Sequence, residues 1–212
     1  MKIIEINKIN KKFGKTGVLY DLSVSFECGL CYMIIGANGV GKSTFLKCLL
    51  GISNINSGMI KRNYNKLGYV PEKIILPSNV KVVDFLNLLG LLKGMTKEEV
   101  KIKLDFELNR WNLAEKRNSK IGSLSKGMTQ KIVIIQALLN EPNLIVFDEV
   151  LNGLDISMQK MLFGIIKEMK ARGATIILTS HYPKQYNEVV DEVLEINEGK
   201  IKKVQQFNEM PL

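Results

Sequence analysis

Cysteine is scarce: Cys28, Cys31 and Cys48 are the only three in 212 residues. So odd and sparse a set builds no disulfide framework and suits a reducing cytosol. Cys28 and Cys31 form a C-x-x-C, but no second pair exists to complete a zinc site. The pair therefore reads as structural. Long apolar runs are missing too. The longest apolar-rich stretch, VVDFLNLLGLL (82–92), carries an acid and is too short to span a bilayer. Residues 1–10 alternate charged and apolar, so no leader is expected. Internal repeats, low-complexity linkers and nucleic-acid recognition motifs are also absent. These exclusions leave a soluble chain that needs a partner if it works at a membrane.

Acidic charge is in the minority, with 21 acidic residues against 30 basic and a net charge of +9. The excess sits in short clusters: NKKFGKTG near the start, IKRNYNK at 60–66 and GKIKK at 199–203. Such clusters read as solvated surface. The sharper reading is proximity to an anionic membrane face, ahead of nucleic acid. Hydrophobic residues at 46% are ample for a core, and the length suits one large domain or one domain with an insert.

KIIEINKI and VLYDLSVSFE alternate apolar and polar and predict half-buried antiparallel strands. CYMIIG predicts a buried strand, and GKSTFLKCLLG a helix closed by Gly51. GMIKR and KLGYV predict two short strands, the second stopped by Pro71. From about 72 to 140 the pattern is helical, with capping-box spacing at Thr96–Glu99 and a further helix over about 125–140. After Pro142 the pattern is strand (LIVF), helix (ISMQKMLFGIIKEMKAR), strand (ATIILTS) and closing hairpin (VLEINEGKIKKV). The expected architecture is a parallel-core α/β domain interrupted by a helical block.

The stretch GANGVGKST (36–44) fits G-x-x-x-x-G-K-[ST] between a strand and a helix. Gly36, Gly39 and Gly41, with Ala37, Asn38 and Val40 between them, let the loop curl its amides inward around phosphates. Lys42 is expected to reach the β- and γ-phosphates, Ser43 to ligate Mg²⁺, and Thr44 to add a hydroxyl contact. LIVFDE (144–149) is an apolar strand ending in two acids, where such folds bind ligands. Asp148 is expected to hold Mg²⁺, directly or through water, and Glu149 to accept a proton from an attacking water. His181, the single histidine, follows another strand end; it is either incidental or a hydrogen-bond partner of the γ-phosphate. SLSKGMTQK (123–131) holds no carboxylate, cysteine or histidine and reads as a polar turn whose helix start attracts anions. A GTPase reading fails, because the nearest string to N-K-x-D, NKLG (65–68), lacks the aspartate.

These pieces together resemble the ATP-binding subunits of ABC transporters over nearly the whole chain. LSKGM (124–128) resembles the family signature LSGGQ, NGLD (152–155) its D-loop, and Ser180-His181 its histidine switch. The resemblance implies an α/β P-loop NTPase core with a mostly parallel sheet, an N-terminal antiparallel β subdomain and an inserted α-helical subdomain. It implies one domain over 1–212, with the core in 1–71 and 141–212 and the helical signature subdomain in 72–140. By resemblance Phe13 stacks on adenine, and Ser125 and Gly127 meet the γ-phosphate of an ATP held by a second chain. The implied assembly is a head-to-tail homodimer, or a pair with a homologous ATPase subunit, sandwiching two ATPs. It docks on a separate transmembrane permease at the inner face of the cell membrane, without nucleic acid. The alternative is a soluble non-transport ABC-type ATPase acting in DNA or translation processes; the coiled-coil insert or second cassette usual there is missing.

Three departures from the family pattern involve four positions. Glu72 stands where a glutamine that touches Mg²⁺ and the attacking water is usual. Lys126 and Met128 replace the usual Gly and Gln, and Val150 replaces a proline. The signature variant is similar to that of some bacterial export systems and favours efflux of a drug, peptide or lipid, with direction left open.

Overall fold

The computed structural model describes residues 1–151, 154–180 and 183–204. Two strands open the chain, β1 (Lys2–Phe13) and β2 (Thr16–Glu27), paired antiparallel as their alternation predicts. β4 (Ser57–Arg62) adds to the other edge of β1, giving a three-stranded antiparallel sheet in the order β2-β1-β4.

The second sheet has six strands: β3 (Cys31–Ile35), β5 (Leu67–Val70), β6 (Leu144–Asp148), β7 (Thr175–Thr179), β8 (Glu192–Asn197) and β9 (Lys200–Val204). Its order is β5-β6-β7-β3-β8-β9. Every pair is parallel except the closing β8–β9 hairpin. β6 and β7 are buried at every position, which explains why they read as continuous apolar runs rather than alternating ones.

Helices cover both faces of this sheet. α1 (Lys42–Leu50) follows β3 and ends at Gly51, whose left-handed backbone returns its amide to Cys48 and Lys47. α2 (Val82–Leu92), α3 (Lys97–Arg110) and α4 (Lys126–Leu138) form the helical block, and α5 (Ile156–Ala171) joins β6 to β7. The capping box at the start of α3 is present in full. Thr96 Oγ1 accepts from the Glu99 amide at 3.2 Å, and Glu99 Oε2 accepts from the Thr96 amide at 2.7 Å.

The period of two in the strands sorts the core into two layers. Ile145, Phe147, Ile176 and Leu178 face α2, α3, α4 and α5. Leu144, Val146 and Ile177 face the opposite way, with Phe45, Leu46 and Leu49 of α1 and the apolar side of the antiparallel sheet. α4 serves two masters: it packs on β5 of the core as well as on α2. It meets β5 at Gly68, where a Cβ would lie 2.4 Å from the Ala137 carbonyl oxygen. Among the described residues no helix is long and apolar enough to cross a membrane. Cys28, Cys31 and Cys48 are all free thiols.

Candidate functional site

The loop between β3 and α1 is shaped by its glycines. Gly36 has φ 149°, and a Cβ there would sit 2.4 Å from the Ile196 carbonyl oxygen. Gly41 has φ 111° and would drive a Cβ to 2.9 Å from Val18 Cγ1. Neither position accepts a side chain, so the backbone itself can come close to a ligand. Gly41 is the N-cap of α1, and neither a side-chain cap nor an acid serves the first turn of that helix. Its first amides are therefore left facing the loop, in the arrangement that binds anions.

Lys42 is buried and turns its Nζ back onto the loop, donating to the Gly36 carbonyl at 2.8 Å and the Ala37 carbonyl at 3.3 Å. Burial pulls its pKa down, while the carboxylates of Glu149, Asp148 and Glu72 push it back up. Three acids from two distant segments thus act on one ammonium.

Strand alternation decides what Asp148 meets. Leu144 and Val146 face α1, so Asp148, two residues on, does too. Ser43 Oγ donates to Asp148 Oδ1 at 3.3 Å, and Thr179 Oγ1 donates to the same oxygen at 2.8 Å. Burial raises the pKa of Asp148, against those two hydrogen bonds, and Glu72 raises it further. Glu149 follows with φ 53°, a left-handed conformation that is uncommon for a non-glycine residue. Its amide donates to Thr179 Oγ1 at 3.0 Å.

Whether this set fits a hydrated cation and a polyphosphate is answered by its chemistry. A serine hydroxyl and a carboxylate oxygen in contact are hard oxygen donors of the kind that suit Mg²⁺. Among the described residues the Tyr69 hydroxyl is buried without a hydrogen-bond partner, and burial next to Asp148 and Glu72 pushes its pKa up to about 12. An orphaned donor beside two carboxylates suits a site completed by something other than protein atoms. The residues fit.

The structure brings some of the sequence-predicted residues together and not others. Lys42, Ser43, Asp148 and Glu149 come together, and the exposed Glu72 is near enough for its charge to act on Lys42 and Asp148. Phe13 ends β1 with its ring 54% exposed, and Lys11 Nζ lies 4.5 Å from the ring centroid. Ser125 is the N-cap of α4, as expected; its Oγ accepts from the Met128 amide at 3.3 Å. Among the described residues no hydrogen bond or ion pair joins Ser125 or Gly127 to the phosphate loop of the same chain. His181 lies outside the described residues, as do Asn152 and Gly153 of the D-loop stretch.

Two residues escaped the sequence reading. In the sequence Thr179 reads only as part of a strand; its register pairing with Asp148 is a property of the folded sheet. Gln130, buried with only 6% exposure, donates from Nε2 to the Val150 carbonyl at 3.1 Å. It ties the signature helix to the segment just after the two acids, through the backbone of one of the departing positions.

Comparison with known proteins follows the same lines. Residues 19–152 match the family model described as ABC transporter. An uncharacterized ABC transporter ATP-binding protein of Methanocaldococcus jannaschii is 37% identical over 197 residues, covering 93% of this chain and 75% of that protein. Nod factor export ATP-binding protein I of Burkholderia lata is 30% identical over 208 residues, covering 93% and 68%. A solved ATP binding subunit of an ABC transporter superposes with a TM-score of 0.90 at 28% identity, over 95% of this chain and 89% of that one. A nucleotide-free ATP-binding cassette shares the fold, with a TM-score of 0.81 at 24% identity over 99% and 93%.

Proposed function

The chain belongs to the ABC transporter family and is an ATP-binding, ATP-hydrolysing subunit, and from that premise we propose how its own residues perform the reaction. As a family member it works as a dimeric ATPase with a membrane permease. The observation that carries the residue assignment is the contact of Ser43 Oγ with Asp148 Oδ1, which joins the loop hydroxyl to an acid 105 residues away.

The loop amides of 36–41 and the first turn of α1 bind the β- and γ-phosphates of ATP, with Thr44 adding its hydroxyl. Lys42 exchanges the Gly36 and Ala37 carbonyls for phosphate oxygens. Ser43 and Asp148 would hold Mg²⁺, with Glu72 beside them; when bound, the ion supplies positive charge against the phosphate oxygens. Glu149 orients a water and takes its proton as that water attacks, giving ADP and phosphate. His181 hydrogen-bonds the γ-phosphate. Phe13 offers its exposed ring to adenine. Ser125 and Gly127, which among the described residues make no hydrogen bond or ion pair to the phosphate loop of their own chain, complete the site of a second copy. The dimer sits peripherally on the inner membrane face beneath the permease. The relative named for Nod factor export supports export as the direction of transport.

Glu149→Gln tests this reading. The variant is expected to bind ATP, to lose ~10²–10⁴ in turnover, and to elute as a dimer in MgATP during size-exclusion chromatography, because ligand that bridges two chains stabilises their association. A monomer at every protein and ATP concentration would overturn the sandwich.

A further inference from the structure

Thr179 is the last residue of β7, and its neighbours Thr175–Leu178 are wholly buried. A hydroxyl in such a strand is costly unless it is hydrogen-bonded. Both of its bonds go to the two acids: its proton to Asp148 Oδ1 at 2.8 Å, and its lone pair to the Glu149 amide at 3.0 Å. One donor and one acceptor are thus fixed in opposite senses, so the hydroxyl has a single orientation. The β6–β7 register sets Asp148 opposite Thr179 on the α1 face, which makes the contact a consequence of strand pairing and not of loop placement.

We propose that Thr179 is a positioning residue for ATP hydrolysis: its one hydroxyl orients the Asp148 carboxylate towards Ser43 and holds the left-handed backbone that aims Glu149. The proposal rests on the reading of Asp148 as the Mg²⁺-holding acid and Glu149 as the base. Two physical needs meet in this residue. Ser43 Oγ, at 3.3 Å, is the longer of the two described hydrogen bonds to Asp148, so it is the weaker restraint on that carboxylate. The φ of 53° at Glu149 persists only if the surroundings hold it, and the amide bond to Thr179 is a restraint applied at that residue. A valine would fill the same volume, free the carboxylate and strand the Glu149 amide.

The test compares Thr179→Val, Thr179→Ala, Thr179→Ser and Asp148→Asn. ATP affinity is measured by calorimetry in Mg²⁺ and in EDTA, on a Glu149→Gln background so that ATP is not consumed. Turnover is measured separately with Glu149 intact. In EDTA, Thr179→Val is expected to bind ATP within about twofold of its parent. It should lose ~10-fold or more of the Mg²⁺-dependent gain in affinity and ~10- to 100-fold in kcat, the range for a hydrogen bond to a charged group. Thr179→Ser, which keeps the hydroxyl, should restore both, and Thr179→Ala gives the same reading should the valine variant not fold. If Asp148→Asn abolishes the Mg²⁺ gain while Thr179→Val and Thr179→Ala keep it, the proposal is overturned and the Asp148 reading stands. If Asp148→Asn also keeps it, the Asp148 reading fails and takes the proposal with it. A lower melting temperature with an unchanged Mg²⁺ gain would make Thr179 a packing residue and overturn its positioning role.

Discussion

Lys42 Nζ lies 2.8 Å from the carbonyl oxygen of Gly36, six residues before it, so the ammonium closes the loop that it belongs to. The two carbonyls it bonds are neutral acceptors, and phosphate oxygens carry a full opposite charge that adds Coulomb attraction to the hydrogen bond. ATP therefore has the stronger claim on this ammonium. Removing the ammonium leaves the loop without its cation. Lys42→Ala is expected to lose ATP hydrolysis and most ATP binding, checked by phosphate release and nucleotide titration on purified protein. Near-normal turnover would sink the assignment of 36–44 as the phosphate site.

Phe13 presents a half-exposed ring with Lys11 over it, which is the surroundings of a platform and not of a core residue. Phe13→Ala should weaken ATP binding by roughly 1–3 kcal/mol, by analogy with base–aromatic stacking, and Phe13→Tyr should be nearly neutral. A Phe13→Ala protein that melts early but binds ATP normally in its folded fraction would make the ring structural.

The helix start at Ser125 is tested by mixing two inactive variants. Lys42→Ala spoils the phosphate loop, and Ser125→Arg places a bulky side chain where the start of α4 should meet phosphate. If the signature serves a second chain, a mixed dimer gathers both defects into one site and leaves the other intact. Mixing should then restore nucleotide-dependent association of differently tagged chains, followed by pull-down. No gain on mixing, with both variants shown to be folded, would mean that Ser125 works within its own chain.

Gly68 tests the join between the core sheet and the signature helix. A Cβ there meets the backbone oxygen of Ala137 at 2.4 Å, and a backbone atom within a packed helix cannot step aside. Gly68→Ala is expected to cost ~1–3 kcal/mol, the range for overpacking, read from denaturant midpoints. The nearby bond from Gln136 Nε2 to the Tyr69 carbonyl, at 2.8 Å, is the first that such a shift would strain. An unchanged midpoint would show that α4 is free to slide on β5.

Much of this molecule was written in its sequence. GANGVGKST announced a glycine-shaped loop because only a few residue types tolerate that backbone, and LIVFDE announced a buried strand with acids at its end because burial on both faces demands an unbroken apolar run. The helix signals at Thr96, Ser125 and Gly51 were legible for the same reason: capping is local chemistry, settled within four residues. What the sequence could not settle was which strand lies beside which. Periodicity gives each strand its faces, but the order β5-β6-β7-β3-β8-β9 comes from crossovers that pack helices on both sides of the sheet. Only that order pairs Asp148 with Thr179, and only the packing of α1 on that face brings Ser43 to the same carboxylate. Thr179 looked like any strand threonine, and Gln130 like any helix glutamine, until tertiary structure buried them beside partners 31 and 20 residues away. A polar group's role is fixed by what it must bond once water is gone, and that is decided by the fold as a whole.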